Sequence, residues 1–317
     1  MNFMIPSYDQ LKEAAEIIAP YVHRTPILSS STLNRHIHSE VWFKCENLQR
    51  MGAFKIRGAT HAIMKLNEEQ KARGVITHSS GNFAQAVALA ASSLDIKATV
   101  VMPETAPRVK KEAVQSYGAN LVECAPSLEA REKTMESIRS KSGAAFLHPS
   151  NDMNVILGQS TVAWEFIEEM EELDVLLTPV GGGGLIAGTS LVTQHLLPEA
   201  ETIGSEPFGA DDAYLSLKTG KIQPSINPMT IADGLKTQLG DQNFPIIMKY
   251  VSRIIRVEES EIIAAMRYIW ERMKIIIEPS SAVAVAALFR NKGEFKNRRV
   301  GVILTGGNVD LGNLPFT

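Results

Sequence analysis

The chain has 317 residues, and its 44% hydrophobic and 21% charged content is that of an ordinary soluble globular protein. With 32 basic and 35 acidic residues the formal charge is −3, so no basic excess points to a nucleic acid or an anionic membrane as a partner. At roughly 150 residues per domain, the length favours two domains. Two cysteines, Cys45 and Cys124, are too few for a disulfide framework and are typical of the reducing cytoplasm.

The first predicted helix follows a segment, residues 1–6, that lacks the features of a signal peptide. Ser7 and Gln10 match a capping box, which marks a helix N-terminus. Beyond a short strand at residues 41–45, strands and helices alternate over residues 75–77, 82–92, 98–102, 108–116 and 121–123. This β-α-β-α-β order indicates a parallel sheet with helical crossovers.

A second alternating set fills the rest of the chain. The predicted helices cover residues 155–170, 185–195, 259–273 and 279–288, and the predicted strands cover residues 175–180, 202–205 and 300–304. The strand at 175–180 is almost continuously apolar, as strands buried on both faces are. Both halves are therefore α/β, and because no clear linker separates them, the two sheets can be interleaved along the chain.

Four consecutive glycines stand between the apolar strand and the next helix: Gly181, Gly182, Gly183 and Gly184. Their N–H groups are unshielded by any Cβ, and a helix N-terminus adds partial positive charge, so the loop suits an anion, most often phosphate. A tight turn alone needs one or two glycines. The run also fits a dinucleotide fingerprint ending at Ala187, with Glu206 as the ribose-binding acid, and so leaves an NAD-dependent oxidoreductase as an alternative.

Three further segments carry candidate chemistry. The loop of Ser79, Ser80, Gly81 and Asn82 suits a small anion such as a carboxylate, or is an ordinary helix cap. Lys55 lies among apolar residues and glycines, where desolvation would lower its pKa and make it a nucleophile towards carbonyl groups, although most lysines are solvated. Thr305 follows the final strand, where ligands collect in open α/β sheets, or lies in a simple turn.

Acidic residues follow the strand at 202–205. Glu206, Asp211 and Asp212 form either a Mg²⁺ or Ca²⁺ site or a solvated acidic turn. The seven histidines show no zinc-binding spacing.

Together these segments resemble the fold-type II pyridoxal phosphate enzymes, specifically the serine/threonine dehydratase and serine racemase group. The resemblance runs nearly end to end, with several motifs in the same order: KCENLQ at 44–49, FKIRGA at 54–59, SSGN at 79–82, PVGGGG at 179–184, IADG at 231–234, EP at 278–279 and GGN at 306–308. It implies two open, twisted parallel-sheet domains, like those of tryptophan synthase β, with the cofactor in the cleft between them. Residues 1–70 and 150–317 would form the large cofactor-binding domain and residues 71–149 the small one, in a cytoplasmic homodimer.

The resemblance also implies roles for individual residues. Lys55 would be joined covalently to pyridoxal 5'-phosphate and later move the Cα proton. Phe54 would pack against the pyridine ring, Asn82 would bond its hydroxyl, Thr305 would face its nitrogen, and the four glycines would hold the phosphate.

The remaining implied roles concern the substrate and a metal ion. The substrate carboxylate would be bound by Ser79, Ser80, Gly81, Asn82 and Phe83. Ser80 would stand on the ring face opposite Lys55, as in the racemases of this group. Glu206, the carbonyl of Ala210 and Asp212 would bind a divalent cation, Mg²⁺, Mn²⁺ or Ca²⁺.

The implied reaction is α,β-elimination of L-serine or L-threonine to a 2-oxo acid and ammonia, accompanied by serine racemisation. A hydroxyl at Thr305, unlike a carboxylate, does not keep the pyridine nitrogen protonated, which favours prompt loss of the β-hydroxyl. Phe83 stands where many relatives carry histidine, so a bulkier or acidic 3-hydroxy amino acid is an alternative substrate. Racemisation as the main activity and 3-hydroxyaspartate dehydration both stay open, as do the exact substrate, regulation by a nucleotide and the oligomeric state.

Overall fold

The computed structural model describes residues 5–106 and 108–316, without the side chain of Val109. Within this part of the chain the strands are β1 Ile27–Ser29, β2 Glu40–Cys45, β3 Val75–His78, β4 Ala98–Pro103, β5 Asn120–Cys124, β6 Ala145–Phe146, β7 Val175–Pro179, β8 Glu201–Pro207, β9 Val251–Val257 and β10 Arg299–Leu304.

The α-helices lie between and after these strands. They are α1 Tyr8–Ile18, α2 Ser31–Ile37, α3 Lys55–Met64, α4 Glu68–Arg73, α5 Asn82–Ser93, α6 Arg108–Ser116, α7 Leu128–Ser142, α8 Met153–Met170, α9 Gly184–Leu196, α10 Asp212–Thr219, α11 Phe244–Tyr250, α12 Glu259–Met273 and α13 Pro279–Arg290.

The larger sheet has the strand order β1-β2-β10-β7-β8-β9. Its pairings are parallel from β2 to β9, and β1 is antiparallel to β2 at the edge. Helices cover both faces, because one buried apolar cluster joins the sheet to α12 and α13 and another joins it to α8 and α9. All five residues of β7 are buried, as expected for a strand covered on both faces.

The smaller sheet has the order β5-β4-β3-β6 and is parallel throughout. The alanine-rich α5 packs on one face with α3, and Met135 of α7 belongs to a small apolar cluster on Ile76 and Val101. Helix α3 also contacts α8, and therefore lies between the helices of the two sheets. Because the strands of the small sheet all lie between residues 75 and 146, we propose the division into residues 71–149 and residues 1–70 with 150–317.

The predicted α/β architecture with two parallel sheets is confirmed. The capping box at Ser7 is present, and most predicted elements lie within a few residues of their expected bounds. The elements that were not predicted are the antiparallel β1, the strands β6 and β9, and the helices α2, α3, α4, α7, α10 and α11. Among the described helices, none combines the length and the hydropathy that a membrane span requires.

Candidate active site

Lys55 is the first residue of α3 and lies in a buried setting. The preceding residue is fastened to the end of β10, since the backbone N–H of Phe54 donates to the carbonyl of Thr305 at 3.1 Å. The Lys55 Nζ donates to the carbonyl oxygen of Pro149 at 3.1 Å and lies 4.8 Å from the centre of the Phe54 ring. Burial lowers the pKa of Lys55 to about 8, although the negative charge of Glu278 acts in the opposite direction. The sequence-based expectation of a desolvated lysine thus agrees with the geometry.

The tetraglycine loop joins β7 to α9, with Gly183 at the N-cap in a left-handed conformation, φ +84°. No side chain of the described residues caps this helix, so its N–H groups are left for a ligand. The loop contacts Ser150, which follows the residue whose carbonyl accepts the hydrogen bond of Lys55, Pro149. A Cβ on Gly182 would clash with the side chain of Ser150. Glycine at this position therefore permits a close backbone approach.

Asn243 supports the same loop from the side away from solvent and is completely buried. Its Nδ2 donates to the carbonyl oxygen of Gly182 at 2.7 Å and to that of Ser150 at 3.0 Å. Sequence reasoning missed Asn243, because it lies 61 residues from Gly182 in the chain and in no recognised motif.

The segment from residue 148 to 151 is held by an imidazole. His148 Nδ1 accepts the backbone N–H groups of Ser150 at 3.2 Å and Asn151 at 2.8 Å, so its proton is on Nε2. Burial and the nearby positive charges of His78 and Lys55 lower the pKa of His148 to about 4. The ring is therefore neutral near pH 7 and acts as a backbone acceptor that fixes Pro149 beside the lysine.

The second predicted loop lies between β3 and α5. Helix α5 begins at Asn82 with Gly81 as N-cap, and among the described residues no side chain caps it. Ser79 and Ser80 are half-buried in this turn. The Phe83 side chain is buried, with its ring centre 5.9 Å from Lys55 Nζ. Phe54 and Phe83 thus both present aromatic rings to the amine, and the loop supplies backbone N–H groups nearby.

Asn82 is already engaged within the protein. Its Nδ2 donates to both carboxylate oxygens of Glu278, at 2.9 and 3.1 Å, and its Oδ1 accepts from Asn308 Nδ2 at 2.9 Å. Burial and repulsion from Asp233 raise the pKa of Glu278 to about 7. The sequence motifs at 278–279 and 306–308 contain Glu278 and Asn308, but sequence reasoning assigned neither a role.

A second feature that sequence reasoning missed is a buried ionic cluster behind the lysine. Arg57, two residues after Lys55, bonds both oxygens of Glu46 at 2.8 Å and both oxygens of Glu165 at 2.7 and 2.8 Å. Lys44 Nζ adds a bond to Glu165 at 2.8 Å. Two positive and two negative charges therefore balance, and they tie the first turn of α3 to β2 and α8.

The acids predicted to bind a cation lie at the end of β8 and the start of α10. Glu206 is fully buried, and its oxygens accept the backbone N–H groups of Ala213 at 3.1 Å and Tyr214 at 2.7 Å. Burial and the neighbouring Asp212 raise the pKa of Glu206 well above its ordinary value. Both Asp212 oxygens are buried and lack a hydrogen-bond partner among the described residues. A Glu206 buried in this way is not placed to bind a ribose hydroxyl, which weighs against the dinucleotide interpretation.

Comparisons with known proteins show which family this chain belongs to. Residues 18–306 match the family model described as "Pyridoxal-phosphate dependent enzyme". The chain is 46% identical to a β-hydroxyaspartate dehydratase of Paracoccus denitrificans over 98% of this chain and 99% of the relative. It is 47% identical to a serine racemase of Dictyostelium discoideum over 96% and 95% of the two chains. The crystal structure of that Dictyostelium discoideum enzyme superposes with a TM-score of 0.92 and 46% identity, covering 96% of this chain and 98% of the other. The chain belongs to the family of pyridoxal-phosphate-dependent enzymes.

Proposed function

We propose that this enzyme catalyses α,β-elimination of a 3-hydroxy amino acid to a 2-oxo acid and ammonia, with racemisation at Cα as an accompanying activity. The observation that carries the proposal is the position of the Lys55 amine, 4.8 Å from the centre of the Phe54 ring and 5.9 Å from that of the Phe83 ring. Phe83 lies in the first turn of α5, and no described side chain caps the N-terminus of that helix or of α9. Relatives named for hydroxyaspartate dehydration and for serine racemisation support both activities.

The residues present fit pyridoxal phosphate. Gly181, Gly182, Gly183 and Gly184 at the start of α9 would hold the phosphate, because backbone N–H groups at a helix N-terminus suit an anion. Lys55 would hold the carbonyl carbon covalently, since a lysine of lowered pKa is a good nucleophile near neutral pH. Phe54 would pack on the ring, and Thr305 would face its nitrogen. Asn82 would face the ring hydroxyl, and to bond it Asn82 would exchange one of its bonds to Glu278 or Asn308. When bound, the cofactor supplies an electron sink for the pair released at Cα.

The protein's own groups would carry the proton transfers. Lys55 would accept the Cα proton on Nζ. Burial lowers the pKa of this amine to about 8, close to the pH at which a general base works best. The loop of Ser79, Ser80, Gly81, Asn82 and Phe83 would orient the substrate carboxylate at the start of α5, with Ser80, Asn82 and Phe83 offering backbone N–H groups. The Ser79 N–H donates to the Val101 carbonyl at 3.3 Å, and the Gly81 N–H donates to Ser79 Oγ at 3.3 Å. Neutral Thr305 would leave the ring nitrogen unprotonated, which favours early departure of the β-hydroxyl over a long-lived carbanion.

Ser80 is the proposed second proton donor. A hydroxyl on the face opposite Lys55 would return a proton to Cα from the other side and so invert its configuration. Its half-buried position in the turn before α5 is consistent with this role.

We further propose that Glu206, the carbonyl of Ala210 and Asp212 bind a divalent cation such as Mg²⁺, Mn²⁺ or Ca²⁺. The support is chemical: Asp212 carries buried oxygens without a partner among the described residues, and oxygen ligands suit these hard cations. Burial raises the pKa of Asp212 to about 6, and a bound cation would hold it ionised. The proposed site has two carboxylate ligands, and the described side chains contain no cluster of three or more His, Cys, Asp or Glu residues that could hold a metal ion.

A cytoplasmic homodimer completes the proposal. Cys45 and Cys124 are both free thiols, which suits a reducing compartment. Leu48 and Ile276 are exposed apolar side chains, and their segments are joined by the Asn47 amide, which donates to the Ile276 carbonyl at 3.0 Å. We propose that these exposed side chains lie in the subunit interface. Light scattering of the purified protein measures the subunit number.

The test of the main proposal is incubation with L-serine, D-serine, L-threonine and 3-hydroxyaspartate, following oxo acid and substrate chirality together. Release of oxo acid from a 3-hydroxy amino acid is expected. Inversion of serine without oxo acid would make racemisation the main reaction, and failure of the protein to bind pyridoxal phosphate would overturn the proposal.

A further inference from the structure

Asn243 immediately precedes α11, and its side chain is completely buried in contact with the tetraglycine loop. Its amide nitrogen bonds two backbone carbonyls that come from different parts of the chain, Gly182 at 2.7 Å and Ser150 at 3.0 Å. Its amide oxygen is also used, because it accepts the backbone N–H of Gly240 at 3.1 Å. These bonds fix the orientation of the amide group.

The bond to Gly182 determines which way the next peptide unit faces. A trans peptide is planar, so its C=O and N–H point in opposite directions. Since the Gly182 carbonyl points at Asn243, the N–H of Gly183 points away from Asn243. Gly183 is the N-cap of α9, and its N–H therefore belongs to the set of donors at the helix N-terminus.

The peptide unit between Gly182 and Gly183 can change its orientation easily, because both residues are glycines. A peptide unit between two glycines can rotate at little cost, because neither residue has a Cβ to restrict φ and ψ. After such a rotation the Gly182 carbonyl oxygen, not the Gly183 N–H, would face the anion. A fixed donor for the carbonyl prevents this rotation, and Asn243 is that donor.

We propose that Asn243 is a positioning residue for the cofactor phosphate: it holds the Gly182 carbonyl away from the anion and so directs the N–H groups of the loop towards it. The inference rests on the proposed binding of pyridoxal phosphate. It predicts that Asn243 contributes to recognition of the phosphate and not of the pyridine ring.

The test compares two ligands that differ only in the phosphate. Pyridoxal phosphate and pyridoxal are titrated into the full-length protein after removal of cofactor, and binding is followed by the change in visible absorbance. Asn243→Leu removes the donor at similar volume and adds no charge. Asn243→Ala is a second variant in case leucine disturbs folding, which circular dichroism and thermal melting check.

The expected result is an affinity for pyridoxal phosphate about ten- to a hundred-fold weaker than that of wild type, the range for leaving a buried carbonyl unpaired. Affinity for pyridoxal should stay within about two-fold, so the preference for the phosphorylated ligand falls. Asn47→Leu is the matched control, because Asn47 also donates from a buried amide to a backbone carbonyl, Ile276 at 3.0 Å, outside the loop.

Three other outcomes overturn the inference or its premise. Unchanged affinity for pyridoxal phosphate in both variants refutes the role of Asn243. Equal loss for both ligands shows a general structural effect and also refutes it. If wild type does not bind pyridoxal phosphate at all, the proposed function fails first, which separates the two hypotheses.

Discussion

The Asn82 amide lies between two partners, donating to both oxygens of Glu278 at 2.9 and 3.1 Å and accepting from Asn308 at 2.9 Å. Asn82 begins α5 beside the small sheet, and Glu278 is the N-cap of α13 beside the large sheet. The Asn82–Glu278 contact connects the helices of the two sheets through one carboxylate, and the pKa of that carboxylate is raised to about 7. The charge on Glu278 therefore affects the contact between these two helices, and it also acts to raise the pKa of Lys55.

We expect Glu278 to make stability depend on pH. Burial and Asp233 raise its pKa from 4.5 to about 7, so the folded state holds a proton that the unfolded chain releases between these values. The free energy of unfolding therefore falls as pH rises from about 4.5 to 7, by roughly 3 kcal/mol from this group. Urea unfolding of the cofactor-free protein across this range should show a smaller decline in Glu278→Gln.

Glu68→Gln is the control for this experiment, because the Glu68 side chain is 90% exposed. Its pH profile should match wild type. If Glu278→Gln shows the same decline between pH 4.5 and 7 as wild type, Glu278 is not the titrating group.

Lys55→Ala should abolish turnover and leave folding intact. The change removes the nucleophile but no bond that holds the fold, apart from the donation to Pro149 at 3.1 Å. In wild type, association of pyridoxal phosphate with the cofactor-free protein should accelerate as pH rises through about 8, because only the neutral amine attacks a carbonyl. Stopped-flow absorbance measures this rate.

Lys65→Ala is the matched control at the other end of α3, where the lysine is paired with Glu13 at the surface. It should keep full activity. Oxo acid production by Lys55→Ala at the wild-type rate would contradict the assigned role.

Arg57→Met should destabilise the protein by about 3–5 kcal/mol, because it leaves the buried carboxylate of Glu46 and the largely buried one of Glu165 with only Lys44 to balance them. The comparison is Arg24→Met, which breaks an exposed pair with Glu168 and should cost at most about 1 kcal/mol. Chemical denaturation gives both values. A loss below about 1 kcal/mol for Arg57→Met would show that the cluster does not anchor α3.

The local parts of the site could be predicted from the sequence, and the long-range parts could not. Lys55, the four glycines and Thr305 lie in short patterns beside strands, and strand ends in parallel sheets are where ligands bind. Asn243 contacts Gly182 across 61 residues and Glu278 contacts Asn82 across 196, separations that no local pattern reports. The same limit explains the missed elements, since α7 buries a single residue, Met135, and so shows almost no apolar face.

Ser80→Ala should reduce racemisation of serine selectively. Inversion needs a proton donor on each face of Cα, and Ser80 is proposed on the face opposite Lys55, whereas elimination from one enantiomer needs the lysine alone. We therefore expect loss of D-serine formation with oxo acid release from L-serine kept within a few-fold, measured by chiral chromatography and a coupled oxo acid assay on the same samples. Ser79→Ala is the neighbouring control, because it removes a half-buried hydroxyl from the same turn, one that accepts the Gly81 N–H at 3.3 Å. If Ser80→Ala lowers both activities equally, or if Ser79→Ala separates them instead, Ser80 is not the second proton donor.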